Sequence, residues 1–411
     1  MTFPRFTRLT YIGLGMIAFA LVLFLVVRYV NGAKRQVPLV FSQREVLENT
    51  WDAYKINTLE AGSGRTLDKS LNNLTTSEGQ SYTMLRAVWM DDKETFDKSF
   101  AFAQSALKHK DDNLHAWQFG QISGDKYGIL ANNGGNNSAT DAESDIAVAL
   151  LFAYERWNDQ EYLDQAKALI ADIWKYEVVT VKGKQILAAN DVERFSSSKI
   201  IVNPSYLSPY AYRMFAIVDP AHNWQAVIDS SYELIGQSMT MQLDKGSSAH
   251  IPPDWIQVNR QTGAIEAVPN AGLTTNYSYD ALRTPWRLAL DWQWYQESRA
   301  KQLLDQMSFF TEEWNANREV SVTYSHDGTI IGDQTEVPAL YGGLIGYFMT
   351  SDTANAEDVY KEKLQILYST DTNAWRTPLG YYDDNWAWFG IGLYLDLLPN
   401  LAKDLSLPAK Q

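Results

Sequence analysis

The 411-residue chain carries 35 basic and 49 acidic residues, a net charge of −14, and no cysteine. Hydrophobic residues make up 45% and charged residues 20%, which excludes a disordered or collagen-like chain and is typical of a globular protein with a large core. The negative charge disfavours nucleic acids and acidic membrane surfaces as partners. The lack of cysteine excludes disulfides, a thiol nucleophile and a cysteine-ligated zinc site.

The first 35 residues form the first predicted element. Arg5 and Arg8 precede the uncharged, mostly apolar stretch 11–27, which suits a transmembrane or signal helix. No good small-x-small cleavage site follows, so we expect residues 1–35 to be an uncleaved signal-anchor that holds the protein at the membrane, outside the cytoplasm. Secretion after cleavage is the alternative. A linker over 36–43 then leads to a single domain predicted for 44–411.

Helical periodicity recurs along the rest of the chain in segments that often come in pairs. The twelve predicted helices are 44–57, 79–90, 95–108, 142–157, 161–177, 205–218, 223–239, 280–295, 298–314, 336–350, 355–369 and 382–398. Apolar residues of 161–177 form one stripe, typical of a half-exposed helix, whereas those of 142–157 surround the helix, which indicates burial on all sides. This alternation predicts an all-α fold, an (α/α)6 toroid of six inner and six outer helices.

Two β-hairpin insertions are predicted between helices. The stretch 178–187 has β-branched residues around Gly183, and 319–331 contains the turn signal Asp327-Gly328.

Motifs for several kinds of site are missing from the sequence. It contains no Gly-x-Ser-x-Gly elbow, Walker loop or dinucleotide fingerprint, and its five histidines lack metal-ligand spacing. The Asn/Gly/Asp-rich loop 132–145 could hold calcium but lacks an EF-hand pattern. We therefore predict no cofactor and no metal.

Carboxylates and abundant aromatic residues remain as candidate functional groups. The chain has 14 Trp, 23 Tyr and 16 Phe. Cleavage of a glycosidic bond needs an acid for the leaving oxygen and a second carboxylate on the opposite face of the sugar, and aromatic rings stack on sugars. This combination favours a carbohydrate site.

Three segments supply candidate carboxylates, each at the predicted start of a helix: 75–82 with Glu78, 139–147 with Asp141, and 279–287 with Asp280. Acidic and hydroxyl residues are also common where a helix is capped, so these residues alone leave catalysis and capping both open.

The three segments, in this order, resemble glycoside hydrolase family 8, whose members are inverting β-glycanases with an (α/α)6 barrel. The resemblance runs over about 51–398 and is most specific at 139–157, where Glu143 departs from the Asp of many members. It implies that Glu78 is the general acid, Asp280 the general base and Asp141 a clamp on the sugar at the cleavage site. It also implies a set of substrate-binding residues: Tyr279, Arg283, Trp117, Tyr381 and Tyr382.

Inverting chemistry requires Glu78 to carry a proton and Asp280 to be ionised. A charge on Asp141 would favour the proton on Glu78, and Arg283 would favour the ionised Asp280. Further tryptophans are expected to line the sugar groove, namely Trp89, Trp255 and Trp286.

The function predicted from these residues and the resemblance is an exported, endo-acting hydrolase of a β-1,4-linked polysaccharide. Cellulose-like glucan or exopolysaccharide is the expected substrate, and chitosan, mixed-linkage glucan and xylan stay open. An anchored enzyme would suit trimming of the cell's own exopolysaccharide, with its synthase machinery as a partner. The alternatives are a non-catalytic glycan-binding component of a polysaccharide secretion complex and a polysaccharide lyase on the same toroid.

Overall fold

The computed structural model describes residues 43–406, except 270–271 and 334. The predicted signal-anchor over 1–35 and nearly all of the predicted linker therefore lie outside the described residues. Within the described ranges, no helix combines the length and the apolar character needed to cross a membrane.

The described residues form thirteen α-helices and ten short strands. The helices are α1 Gln43–Thr58, α2 Ser77–Trp89, α3 Lys93–Phe102, α4 Thr140–Trp157, α5 Gln160–Glu177, α6 Pro209–Val218, α7 Trp224–Thr240, α8 Arg283–Tyr295, α9 Ser298–Asp305, α10 Phe309–Asn317, α11 Pro338–Ser351, α12 Thr353–Val359 and α13 Tyr381–Tyr394. The strands are β1 Thr75–Thr76, β2 Gln118–Ser123, β3 Lys126–Ile129, β4 Val178–Val181, β5 Lys184–Leu187, β6 Lys199–Val202, β7 Ile256–Asn259, β8 Ile265–Glu266, β9 Tyr368–Ser369 and β10 Ala374–Trp375.

Six of the helices form a closed inner ring. In order around the ring they are α2, α4, α6, α8, α11 and α13, and α13 packs back against α2. Helices α1, α3, α5, α7, α9 and α12 each pack outside one inner helix. The predicted twelve-helix toroid is confirmed in the described residues, with α10 as an additional helix after α9.

Burial separates the two rings as the sequence pattern predicts. Every residue from Thr140 to Ala153 of α4 is buried. Helix α5 instead buries one stripe, which includes Ala166, Leu169 and Ile173. The inner helix is apolar all round because it contacts neighbours on every side, whereas the outer helix keeps one face in water.

Glycines allow two of the inner helices to touch through their backbones. A Cβ added to Gly342 of α11 would lie 2.0 Å from the carbonyl oxygen of Trp386 in α13. A Cβ on Gly390 of α13 would lie 2.5 Å from the Cα of Gly342. The absence of a side chain at both positions is therefore what permits this close crossing.

The predicted helix 298–314 is wrong as a single element, because it divides into α9 and α10. At the break the backbone bonds tighten to a three-residue spacing, with Met307 N donating to Leu304 O. Leu304, Met307 and Phe310 nevertheless keep helical spacing and are all buried. The apolar stripe continues across the break, so periodicity could not reveal it.

The predicted helix 355–369 is also shorter than expected. Helix α12 ends at Val359, and the chain continues through short turns of other pitch, Tyr360–Leu364 and Gln365–Leu367, into strand β9.

The two predicted hairpins have different outcomes. Strands β4 and β5 pair over four residues each around Lys182 and Gly183, which have φ of 52° and 82°, and this confirms the hairpin at 178–187. At 319–331 the turn at Gly328 forms, with φ 86°, and Tyr324 bridges Ile330 across it, so the predicted hairpin is present as a single bridge and not as two full strands. Tyr324 also bridges Tyr277, which pairs this segment with the chain that precedes Asp280.

Candidate active site

The candidate carboxylates lie at the beginnings of inner helices. Glu78 and Asp141 are in the first turns of α2 and α4, Tyr381 begins α13, and Asp280 lies three residues before the start of α8. The partial positive charge of a helix N terminus stabilises nearby carboxylates. The ring of inner helices thus brings acidic residues from distant parts of the chain to one place.

Arg283, in the first turn of α8, joins the three carboxylates. Its Nη1 donates to Glu78 Oε2 at 2.6 Å and to Asp141 Oδ2 at 2.9 Å, and its Nη2 donates to Asp280 Oδ1 at 2.5 Å. The guanidinium is buried, and the ring of Tyr206 lies 5.1 Å from its carbon. The guanidinium spreads five N–H donors over a fixed planar fork, whereas an ammonium has three on one nitrogen, so arginine is the better group for holding three carboxylates in set positions.

Asp280 is held through both of its oxygens. While Oδ1 accepts from Arg283, Oδ2 accepts the indole N–H of Trp255 at 2.9 Å. The side chain is still 30% exposed. Each carboxylate oxygen has a second lone pair, so Asp280 is fixed in orientation and can also accept a hydrogen bond from water.

The Glu78 carboxyl is held by Tyr381 and Arg283, both far from it in the sequence. Its Oε1 accepts from the hydroxyl of Tyr381 at 2.5 Å. Thr76 caps the helix by accepting from Gly79 N at 3.0 Å, so the capping role that the sequence left open belongs to Thr76. The Glu78 carboxyl therefore does not cap the helix, and it accepts a hydrogen bond from Arg283 instead.

Asp141 is the most deeply placed of the three acids. Burial raises its pKa to about 7; the cation of Arg283 opposes this, and the charge of Glu78 adds to it. The expected closeness of Asp141 and Glu78 is therefore present, since both lie on one nitrogen of Arg283.

A second arginine–aspartate pair lies one helical turn further into the ring. Arg287 Nη1 and Nη2 donate to the two oxygens of Asp145, each at 2.9 Å, and both side chains are buried. Arg287 follows Arg283 by four residues, as Asp145 follows Asp141. The pair locks α4 against α8 below the site, a role that the sequence analysis did not assign although the shared spacing is visible in the sequence.

Two tyrosines cover one side of the site. The Tyr382 hydroxyl donates to the backbone carbonyl of Tyr279, and the two rings lie 6.2 Å apart. Tyr279 itself is 49% exposed. An open cavity of about 220 Å³ is lined here by Glu78, Tyr279, Asp280, Tyr382 and Asp383.

A somewhat larger cavity, of about 260 Å³, lies away from this site between the β4–β5 hairpin and α7. Its lining residues contain one carboxylate, Glu233, and no aromatic ring. The smaller cavity is the candidate active site because it alone of the two brings several carboxylates, Glu78, Asp280 and Asp383, together with aromatic rings at an open surface.

The tryptophans predicted to line a groove are divided by the structure. Trp117 is half-buried, and its carbonyl accepts from Ser77 N at 3.1 Å, which places it beside the start of α2. Trp255 touches Asp280, as described. The prediction is wrong for Trp89 and Trp286, which are each 3% exposed and pack around Phe389 in the core.

Sequence comparison shows which family has this arrangement. The sequence model of the family "Glycosyl hydrolases family 8" matches residues 33–382, which are most of the chain. The protein belongs to glycosyl hydrolase family 8. It is therefore a glycosidase, as the resemblance of its acidic segments implied.

Individual relatives agree with this assignment. Endoglucanase A of Acetivibrio thermocellus is 27% identical over 369 residues, which are 87% of this chain and 69% of that protein. An endoglucanase of Cellulomonas uda is 31% identical over 269 residues, 65% of this chain and 68% of that protein. The endo-1,4-D-glucanase structure from Vibrio fischeri ES114 superposes with a TM-score of 0.69 at 24% identity, covering 84% of this chain and 94% of that one, and shows the same (α/α)6 fold.

Proposed function

We propose that this family 8 enzyme hydrolyses a β-1,4-linked glucan internally and with inversion of the anomeric carbon. One observation carries the proposal: Arg283 joins Glu78, Asp141 and Asp280 beside a cavity that is open to solvent and walled by tyrosines. Two carboxyl groups on a sugar-sized opening are what glycoside hydrolysis requires. The relatives that are named endoglucanases support a glucan as the substrate.

In this proposal Glu78 donates a proton to the leaving glycosidic oxygen. Tyr381 and Arg283 hold its two oxygens, so the carboxyl cannot rotate away from the bond that breaks. Burial raises the pKa of the neighbouring Asp141 to about 7, so Asp141 itself can hold a proton towards neutral pH.

Asp280 accepts a proton from the attacking water. Arg283 and Trp255 each occupy one lone pair, one on each oxygen, which leaves a lone pair on each oxygen for water, and the side chain is partly exposed. The water attacks the anomeric carbon from the face opposite Glu78, the glycosidic bond breaks, and the configuration inverts.

Asp141 and the aromatic residues position the sugar. Asp141 is buried beside Glu78, so it would bind a hydroxyl of the ring at the cleavage site. Tyr279, Tyr382 and Trp117 would stack against neighbouring sugars. The carboxylates outnumber the single guanidinium that they share, so the site disfavours polymers with uronic acid or sulfate groups.

The test is a product profile of the full-length enzyme on soluble β-glycans, including carboxyl-free glucans, xylan and chitosan. We expect a rapid fall in glucan chain length and inverted products in early NMR spectra. Glu78→Gln and Asp280→Asn should each lower kcat by about 10² to 10⁴-fold. Glu161→Gln, an exposed glutamate of α5, is the control.

Each rival function has its own outcome in this experiment. Glycan binding without hydrolysis by the wild type would favour the non-catalytic component. Products that absorb in the ultraviolet would indicate a lyase, and retained configuration would refute the inverting mechanism.

We further propose that residues 1–35 anchor the enzyme at the membrane with the toroid outside the cytoplasm, where it trims the cell's own exopolysaccharide near the synthase machinery. The apolar stretch 11–27 behind Arg5 and Arg8 supports this. We expect the full chain in the membrane fraction and cleavage by protease added to spheroplasts. Recovery from the medium with a shortened N terminus would favour secretion, and recovery from the cytosol would refute both.

A further inference from the structure

Asp254 is a buried carboxyl group next to the base but not in the set that surrounds Arg283. It is 4% exposed. Its Oδ1 accepts from two backbone N–H groups, Ser278 at 3.1 Å and Ala281 at 2.8 Å. Its Oδ2 accepts from the hydroxyl of Ser278 at 2.5 Å. These three bonds bracket Tyr279 and Asp280, so one side chain fixes the turn that presents the base.

The backbone around Asp254 strengthens the same connection. Asp254 N donates to Asn276 O at 2.6 Å and Trp255 N donates to Thr274 O at 2.9 Å, so the two segments run side by side up to the turn. The neighbouring side chain, Trp255, then donates to Asp280 Oδ2. Asp254 therefore holds the backbone on either side of Asp280, and the next residue, Trp255, holds its carboxylate.

We propose that Asp254 is a positioning residue for the general base: it sets the place of Asp280 through the 278–281 backbone while Trp255 sets its orientation. The proposal rests on the assignment of Asp280 as the base. Asp280 lies three residues before α8, in a turn whose local bonds, such as Arg283 N to Asp280 O at 3.2 Å, are supplemented by the two that Asp254 accepts from Ser278 N and Ala281 N. A misplacement of about 1 Å in a catalytic group can cost 10²-fold in rate.

Two substitutions at Asp254 distinguish the effect of losing its hydrogen bonds from the effect of losing its charge. In Asp254→Ala all three bonds are lost. In Asp254→Asn the amide oxygen can still accept both N–H groups, and the amide nitrogen can donate to the Ser278 hydroxyl. We expect Asp254→Ala to lower kcat about 100-fold with KM within about twofold of the wild type, and Asp254→Asn to recover at least a tenth of the wild-type kcat.

A matched control exists on the far side of the fold. Asp92 accepts from Thr95 N at 3.0 Å, from the Thr95 hydroxyl at 2.9 Å and from the indole of Trp51 at 3.1 Å, at the start of the outer helix α3. Like Asp254 it bonds a backbone N–H and a hydroxyl, and it also pairs with Lys55 at 2.9 Å. Asp92→Ala should lower the free energy of unfolding and leave the kcat of the folded protein unchanged. All rates are normalised to the folded fraction from near-ultraviolet circular dichroism.

The outcomes distinguish this proposal from the catalytic assignment. If the wild type is active and Asp280→Asn is not, but folded Asp254→Ala keeps kcat within about threefold, Asp254 does not position the base. If Asp254→Ala fails to fold, Asp254→Asn decides: a kcat more than about 100-fold below the wild type would also overturn the proposal, since the turn's bonds are retained. If Asp280→Asn is as active as the wild type, the base assignment itself fails.

Discussion

Tyr381 donates a hydrogen bond to Glu78 at 2.5 Å, although 303 residues separate them in the chain. The contact joins the first turn of the last inner helix to the first turn of the first inner helix. Closure of the helical ring therefore places the proposed acid and fixes one of its two oxygens.

Removal of the Tyr381 hydroxyl should slow catalysis without unfolding the protein. The bond strengthens as Glu78 gives up its proton and becomes charged. A hydrogen bond to a charged group contributes about 1.5 to 3 kcal/mol, so we expect Tyr381→Phe to lower kcat by roughly 10 to 100-fold. The control is Tyr347→Phe, whose hydroxyl bonds Thr311 far from the site. Initial rates on a soluble glucan provide the measurement, and equal rates for both variants would show that Tyr381 does not hold the acid.

Arg283 should matter for both stability and activity. Arg283→Met leaves three carboxyl groups around an apolar side chain, so we expect a loss of about 3 to 5 kcal/mol in the free energy of unfolding, together with loss of activity. Arg283→Lys keeps the charge but cannot reach all three acids, and we expect kcat to fall about 100-fold.

Arg318 provides a matched control for the arginine substitutions. It pairs with Asp358 and Glu362 but is 44% exposed, so Arg318→Met should cost at most about 1 kcal/mol in urea unfolding. An Arg283→Met protein as stable as Arg318→Met would contradict the central role assigned to the guanidinium.

Four buried acids should each contribute stability that falls as pH rises from about 4 to about 8, against the opposite contribution of His115, whose pKa burial lowers to about 3. Burial raises the pKa of Asp141 and of Asp254 to about 7, and it raises those of Glu143 and Glu177 well above the usual range. Between the ordinary carboxyl pKa of about 4 and these raised values, the folded state binds more protons than the unfolded state. The stabilisation is thus complete below about pH 4 and is lost as pH rises through 7.

Glu177 allows the predicted direction of the pH dependence of stability to be tested at a single residue. It is fully buried, with Oε1 accepting from Ser138 Oγ at 2.6 Å and Oε2 lacking a hydrogen-bond partner among the described residues. Glu177→Gln stays neutral at all pH values, so its melting temperature should fall less than that of the wild type between pH 5 and pH 8. A slope as steep as that of the wild type would contradict the prediction, and the exposed Glu161→Gln should keep the wild-type slope.

The crossing of α11 and α13 should not tolerate a side chain at Gly342. The added Cβ of Gly342→Ala would overlap the Trp386 carbonyl, so the two helices must separate, with a cost of about 3 kcal/mol or more. Gly62→Ala is the control, since an added Cβ there meets nothing within 4 Å. Thermal unfolding measures both, and equal melting temperatures would mean that the inner ring adjusts freely.

Much of this fold could be predicted from the sequence. The difference between α4, apolar on all sides, and α5, apolar along one stripe, identifies inner and outer helices because each residue's hydrophobicity records its own burial. The same signal fails at 306–308, where the stripe continues through a break in the helix. It also fails for Trp89 and Trp286, since a tryptophan in a core and one in a sugar groove are alike in sequence.

The sequence by itself determined the helical ring, the family and the three acidic segments. Only the tertiary structure decided that Arg283 bridges residues 205 and 142 positions away and that Trp255 and Asp254 hold the base from a separate loop. The physical reason is the separation along the chain over which each kind of interaction acts. Periodicity and capping patterns depend on neighbours within a few residues, whereas the bonds that assemble this site form only when the ring of inner helices closes.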